Sequence, residues 1–326
     1  MTQLSIVVPV YNEEESLEAL HAEICEVVEK LDAQIELLFI DDGSTDSSWS
    51  IITKLAREDK RIRAFRFRRN FGKAAALDVG LHAATMPLVM TMDADLQDDP
   101  HEIPDFLRLM DEGFDVVSGW KKTRHDPWHK VIPSRFFNAM VSNLTGVRLH
   151  DHNCGMKCYR REIFDEVTLY GELHRFVPAL AGARGFKVGE KVVNHRARKF
   201  GSSKYGFNRF IKGFLDLLSV KFVTTYGARP QHLLGTIGLC SFGVGALTMV
   251  WMAARWVLAR IPALGLGEYM LSGRPAVDYS AALALFGAQL LSMGFLSELL
   301  VAETNRRARE YSIKEEIKAP QEDAKE

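Results

Sequence analysis

Two aspartates, Asp93 and Asp95, follow the apolar run Pro87-Leu88-Val89-Met90-Thr91 in the stretch Met92-Asp93-Ala94-Asp95-Leu96-Gln97. Such a run predicts a buried strand, and side chains two apart on a strand point the same way, so the two carboxylates converge at its carboxyl end. Converging carboxylates repel one another unless a cation lies between them. Hard divalent ions take oxygen ligands and are commonly held by one or two carboxylates together with substrate phosphates. The spacing therefore predicts a Mg2+ or Mn2+ site that receives a nucleotide-diphosphate substrate. An isolated Asp-x-Asp also fits a solvated acidic turn, so other residues must decide.

Three more polar clusters follow strand-like runs: Pro9-Val10-Tyr11-Asn12-Glu13, Asp41-Asp42-Gly43-Ser44-Thr45-Asp46 and Arg69-Asn70-Phe71-Gly72-Lys73. Each alone is ordinary turn chemistry. The elements that must position them alternate between strand and helix patterns, with strands expected over residues 4–10, 35–41, 62–68, 87–93 and 114–119. Asn12 is placed to cap a helix with Glu15 closing a capping box, ahead of Leu17, Leu20, Ile24, Val27 and Leu31. Thr45 or Asp46 is placed to cap a second helix carrying Trp49, Ile52 and Leu55. The pattern predicts an α/β fold, a Rossmann-like, mostly parallel sheet covered by helices, whose ligands bind beyond the carboxyl ends of the strands.

The chain has 326 residues, 47% of them hydrophobic and 25% charged, enough for a substantial core. Its net charge of -1 hides a gradient: residues 1–100 hold 19 acids and 10 Lys/Arg, residues 160–229 hold 6 and 14. An acidic half joined to a basic half suits a metal site beside an anion-binding surface. Cys25, Cys154, Cys158 and Cys240 lack paired zinc spacing and read as free thiols. No nucleic-acid partner is expected. Residues 1–11 lack the basic region of a secretory signal and run straight into a strand pattern.

The second half is different. Residues 207–223 place Phe207, Phe210, Ile211, Phe214, Leu215, Leu217, Leu218 and Phe222 on one expected helical face, opposite Arg209, Lys212 and Asp216, as in a helix lying in a membrane interface. Residues 233–254 and 279–297 are uncharged and long enough for two transmembrane helices. Basic residues flank both on the inner sides, Lys204, Arg209, Lys212, Lys221 and Arg229 before and Arg306, Arg307 and Arg309 after. The positive-inside tendency then predicts an integral protein of a bacterial inner or plasma membrane, with both termini cytoplasmic and a loop over about residues 260–278 outside. The expected organisation is a cytoplasmic catalytic domain (1–206), a juxtamembrane amphipathic region (207–230), two spans (231–303) and a charged, partly disordered tail (304–326). Ser241 and Gly245 form a small-xxx-small pair that suggests a homo-oligomer.

Taken in order, the four strand-end clusters resemble family 2 of the inverting glycosyltransferases, with the GT-A fold, and within it the polyprenyl-phosphate glycosyltransferases such as dolichyl-phosphate mannose synthase and bacterial undecaprenyl-phosphate glucosyltransferases. The resemblance covers about residues 4–225, and two C-terminal spans match the bacterial membrane subgroup. It implies that Pro9, Tyr11 and Glu13 line a nucleoside pocket with Ile40 and Asp42, and that Lys73 and Ala94 join the nucleotide-sugar contacts. Asp93, Asp95 and Gln97 would hold the metal and donor diphosphate, although Asp41 is equally placed as a structural partner of its turn. The segment from His195 to Tyr205 resembles the family's basic loop, in which Arg198, Ser203 and Lys204, with Arg196, would clamp phosphates. From its charge alone, that loop suits a lipid phosphate or general attraction to anionic lipid.

One departure stands out. The family commonly shows an arginine near Lys121 or Lys122, so phosphate binding there would use a point charge, with Arg124 or Arg135 able to compensate. The stretch Leu149-His150-Asp151-His152-Asn153-Cys154-Gly155 resembles a segment whose aspartate is a candidate for the reaction centre, making Asp151 an acceptor-positioning group, a base or a turn residue. Asp95, Asp151, Lys121 and Arg135 are thus the candidate catalytic set.

The expected reaction moves a hexose from a UDP-glucose-like or GDP-mannose-like donor to a polyprenyl phosphate at the cytoplasmic membrane face, with inversion. A processive polysaccharide synthase would carry Gln-x-x-Arg-Trp, but Met252 stands three residues before Arg255-Trp256. A non-catalytic nucleotide- or glycolipid-binding membrane protein is the other alternative, and the intact acidic and basic clusters argue against it.

Overall fold

The run from Leu4 to Val10 is apolar on both strand faces, which suits a strand covered on each side by helices. In the computed structural model, which describes residues 2–31, 33–122, 128–167, 173–196, 208–227, 229–261, 269–271 and 273–305, it forms β1 (Thr2–Val10), an interior strand of the sheet. The chain continues through α1 (Leu17–Glu29), β2 (Ala33–Asp41), α2 (Ser48–Glu58), β3 (Ile62–Arg66), α3 (Lys73–Ala83), β4 (Leu88–Thr91), α4 (Ile103–Asp111) and β5 (Val116–Trp120). Then come α5 (Trp128–Thr145), β6 (Lys157–Arg160), α6 (Ile163–Glu166), α7 (Val177–Ala183), β7 (Val188–Val192), α8 (Asn208–Tyr226), α9 (Pro230–Leu258) and α10 (Pro275–Asn305).

The sheet order is β3-β2-β1-β4-β6-β5-β7. β1 pairs in parallel with both β2 and β4, so successive connections leave β1 in opposite directions and open a crevice at the carboxyl ends of β1 and β4. That switch point places the Asp93 segment. β6 runs antiparallel between β4 and β5, a strand absent from the sequence expectation, as was β7. β6 is only four residues long, too short for its alternation to stand out.

The two faces of the sheet carry separate cores. Leu17, Leu20, Ile24, Val27, Ile52, Phe106 and Met110 cover one with Ile6, Val8, Phe39 and Met90. On the other, Ala76, Leu77 and Leu81 of α3 pack on Val7, Leu38, Ile40 and Val89. Burying one such aliphatic side chain contributes about 1.5–3 kcal/mol.

Of two capping expectations, the one for α1 needs correction. α1 begins only at Leu17 after Ser16, and Asn12 adopts a left-handed φ of 55°. Its amide oxygen accepts the Thr45 N–H at 2.9 Å, because asparagine tolerates that conformation and serves better as a stitch between loops than as a cap. α2 starts at Ser48, whose N–H donates to Asp46 Oδ1 at 3.0 Å, so Asp46 serves that helix end.

The chain divides into two compact units, Met1–Lys221 and Phe222–Glu326. α8 crosses the division. Its expected single apolar face is corrected to two: Leu217 and Val220 are buried with Phe137, Val141 and Phe176, while Phe214, Leu215, Leu218 and Phe222 stay exposed. Phe207 lies outside the described residues.

In the second unit, α9 and α10 contain stretches, Pro230–Leu258 and Pro275–Val301, long and apolar enough to cross a membrane, with mean hydropathy 1.8 and 1.6. Glycines let the two backbones touch. A Cβ on Gly245 would lie 2.6 Å from Ser280 O, and one on Gly287 2.3 Å from Phe242 N. Gly245 therefore packs within the hairpin, and the small-residue pair loses its force as a sign of oligomers. Gly287→Val forces the helices apart, a strain of about 1–3 kcal/mol. The expected result is a lower melting temperature for the second unit with nucleotide binding unchanged, read by thermal unfolding in detergent alongside calorimetric titration.

Candidate active site

Beyond Thr91 the chain turns sharply, with Leu96 at a left-handed φ of 59°, an uncommon conformation for a branched aliphatic residue. The turn keeps Asp93, Asp95 and Gln97 at the end of β4. Asp95 Oδ1 accepts the Gln97 N–H at 3.2 Å, and Asp98 reaches back so that its Oδ2 accepts the Asp93 N–H at 3.2 Å. The other Asp98 oxygen pairs with Lys121 Nζ at 3.1 Å. Lys73, the first residue of α3, rests its ammonium on Asp93 Oδ1.

These charges set the protonation states. Burial pushes the Asp93 carboxyl up, but the Lys73 and Lys121 ammonium groups outweigh it and bring the pKa down to about 2. Burial works against the Lys121 charge too, yet the Asp98 and Asp93 carboxylates hold that ammonium well above its ordinary range. Lys121, one of the two lysines expected near a phosphate, is paired with Asp98.

The chemistry of the donor set suits a hard divalent cation: two carboxylates and an amide would be its ligands, Asp93 stays ionised, and its Oδ1 already faces the Lys73 ammonium. Cys154 supplies no soft alternative, since burial pushes its thiol up to about 12. Elsewhere among the described residues, His21, Cys25 and Asp59 converge, as do Glu23, Asp99 and His101. A guanidinium already sits in each: Arg61 lies 3.1 Å from Cys25 Sγ and 2.8 Å from Asp59, and Arg196 lies 2.6 Å from Glu23 and 2.7 Å from Asp99.

The loops after β1 and β2 are sewn together. Besides the Asn12 stitch, the Asn12 N–H donates to Ser44 Oγ at 3.0 Å and the Glu13 N–H to Ser48 Oγ at 2.9 Å. Asp42 accepts the Phe71 N–H at 2.7 Å and the Gly72 N–H at 2.9 Å, which anchors the loop before Lys73. Asp41 is fully buried, accepts the Ser44 N–H at 2.9 Å and lies 3.1 Å from Arg66 Nε, the structural alternative for that residue. Pro9, Tyr11 and Glu13 are half-buried at the end of β1. Ile40 and Ala94 are corrections: their side chains are buried in the apolar core and offer no pocket surface.

A second segment closes on Asp93 from β6. Asp151 is buried and accepts the Asn153 N–H at 3.0 Å, while Glu190 accepts the Asp151 N–H at 3.1 Å. Gly155 O accepts the Thr91 hydroxyl at 2.7 Å. A Cβ on Gly155 would lie 2.6 Å from Asp93 Oδ2, so any side chain there must displace that carboxylate. Lys157 is buried, and its Nζ donates to His152 O at 3.1 Å.

Other expected residues are not gathered here. Arg135 is exposed on α5, with no hydrogen bond or ion pair to Asp93, Asp95 or Asp151 among the described residues. Arg196 joins Glu23 and Asp99 across the fold, while its backbone N–H donates to Gln97 O at 3.0 Å, tying the start of the basic loop to the Asp93 turn. Arg124, Arg198, Ser203 and Lys204 lie outside the described residues. Sequence reasoning missed Asp98, Gly155 and Lys157. Their signals were present: a third acid just past the pair, and a lysine within the otherwise apolar run Cys154-Gly155-Met156-Lys157-Cys158-Tyr159.

The glycosyl transferase family 2 model matches residues 5–168. The chain is 38% identical over 307 residues to dodecaprenyl-phosphate galacturonate synthase of Rhizobium johnstonii, covering 91% of this chain and 87% of that protein. It is 34% identical over 302 residues to undecaprenyl-phosphate 4-deoxy-4-formamido-L-arabinose transferase of Proteus mirabilis, covering 92% and 89%. Among solved structures, Mycobacterium tuberculosis glucosyl-3-phosphoglycerate synthase, in complex with Mn2+, uridine diphosphate and glucosyl-3-phosphoglycerate, superposes with a TM-score of 0.52 at 17% identity. That match covers 68% of this chain and 80% of the other, and it shows the expected GT-A fold. From the family model and the two relatives, the chain belongs to glycosyl transferase family 2.

Proposed function

We propose that the chain transfers a sugar from a nucleotide-diphosphate donor to a polyprenyl phosphate at the cytoplasmic face of a membrane, with inversion. The observation that carries this reading is the extent of the likeness. Alignments covering 91–92% of the chain relate it to enzymes whose names give dodecaprenyl and undecaprenyl phosphate as the sugar's carrier. The acidic turn after β4 supplies the matching chemistry.

Asp93, Asp95 and Gln97 would hold Mg2+ or Mn2+, which when bound neutralises charge developing on the departing diphosphate. Lys73 sits where it can follow the same charge, and Asp98 with Lys121 keeps the Asp93 backbone in place. The loops after β1 and β2 would receive the nucleoside. Asp42 serves by fixing the Phe71–Gly72 backbone, and Tyr11 and Glu13 by forming the wall of the crevice. Arg198, Ser203 and Lys204 would meet the lipid phosphate, while α9 and α10 anchor the protein where that lipid resides. The acceptor needs little activation, because a phosphate monoester with a second pKa of about 6 is largely dianionic at pH 7.

The test is a donor screen with membranes, short polyprenyl phosphate and Mg2+ or Mn2+, using radiolabelled UDP-glucose, UDP-galacturonate, UDP-4-deoxy-4-formamido-L-arabinose and GDP-mannose. One donor is expected to give a chloroform-soluble product. No product with any of them, in either metal, sinks the proposal in favour of a binding protein.

A further inference from the structure

Lys157 opens β6 in antiparallel register with Thr91, the last residue of β4, so both side chains stand on the sheet face that carries α3. It is 4% exposed. Its ammonium donates to the His152 carbonyl, and among the described residues no carboxylate pairs with it directly. An ammonium buried without an adjacent counter-charge is costly to the fold, and a methionine of similar length would avoid that cost. Packing therefore does not account for a lysine between the core residues Met156 and Cys158.

The surroundings do. The loop before β6 carries Asp151 at one end and Gly155, pressed against the Asp93 carboxylate, at the other. The Thr91 hydroxyl fastens the loop at Gly155 O, and Lys157 fastens it at His152 O. Burial brings the Lys157 pKa down to about 8 and the Lys73 ammonium acts in the same direction, while Asp151 and Asp93 favour the charged form. The ammonium thus lies within the field of both carboxylates while bonded to the loop that carries one of them.

We propose that Lys157 is a positioning residue for the transfer: tied to the His152 carbonyl, its charge fixes the 151–155 loop against the end of β4 and sets the spacing of Asp93 and Asp151. Two anionic substrates must approach one another there, and a buried cation behind the carboxylates lowers the cost of bringing them together. This rests on the proposed function, and the experiment separates the two.

Full-length wild type, Lys157→Met and Lys157→Arg are purified in detergent and assayed with the donor and lipid that wild type uses, with melting temperatures measured in parallel. For Lys157→Met the expected result is a kcat lower by about 100-fold, a donor KM little changed, and a melting temperature equal to or above wild type. Lys157→Arg recovers part of the lost kcat. Wild-type kcat in Lys157→Met overturns the inference. So does a loss that comes with a lower melting temperature and no recovery in Lys157→Arg, because that pattern marks a packing residue. A wild type inactive with every donor overturns the proposed function and this inference with it.

Discussion

Asp95→Asn is expected to reduce transfer by about a thousandfold or more, while Asp151→Asn keeps at least ~1% of wild-type turnover. The first expectation follows from charge. A metal ion contributes several kcal/mol of stabilisation to a developing anion, and about 4 kcal/mol corresponds to roughly a thousandfold in rate. Losing one of the two proposed carboxylate ligands would remove most of that while leaving side-chain shape intact. The second follows from the acceptor and the structure together. A general base contributes about 10²–10⁴-fold where the nucleophile must lose a proton, and a lipid phosphate is already ionised. Asp151 is 1% exposed and bonded to the Asn153 N–H, a contact that the asparagine oxygen can preserve. Steady-state rates of both variants with the identified donor decide the matter. Equal losses would overturn the idea that a base at Asp151 is dispensable.

Gly155→Ala is expected to lower kcat/KM by about a hundredfold and to raise the metal concentration needed for half-maximal rate. The added methyl would lie 2.6–2.8 Å from three atoms of the Asp93 carboxyl group, well inside contact distance. Asp93 is held by Lys73 and, through its backbone, by Asp98, so the cheapest relief is rotation of the carboxylate away from its position. A displacement of about 1 Å in an aligned site costs on the order of 100-fold. Metal titration of the rate, with a thermal melt as control, tests this. Wild-type metal dependence at wild-type stability would show that Asp93 does not need its present orientation.

The sequence revealed the catalytic half of the chain well where local chemistry sets the outcome. Strands β1 and β2 read clearly because both faces are buried and their apolar runs are long. The acidic turn read clearly because it ends such a strand. Two apolar helices were visible from length and composition alone, properties that need no partner to detect. Local chemistry misled where distant residues compete for the same groups. Asn12 and Glu15 made a plausible capping box, but Ser44 and Thr45 claim Asn12 from 32 and 33 positions away. The ion pair of Lys121 with Asp98, 23 positions before it, was likewise not visible in the local sequence.

By itself, then, the sequence determined the family, the alternation of strand and helix, the acidic Asp93-x-Asp95 turn and the two long apolar helices. Each depends on spacing along the chain or on composition. Only the tertiary structure decided that Ile40 and Ala94 face the core, that Gly245 belongs to a helix pair, and that β6 inserts antiparallel beside β4. That insertion brings Gly155 and Lys157 to Asp93 from more than sixty residues away, a proximity that no local pattern encodes, because pairing register is set by the packing of the whole sheet.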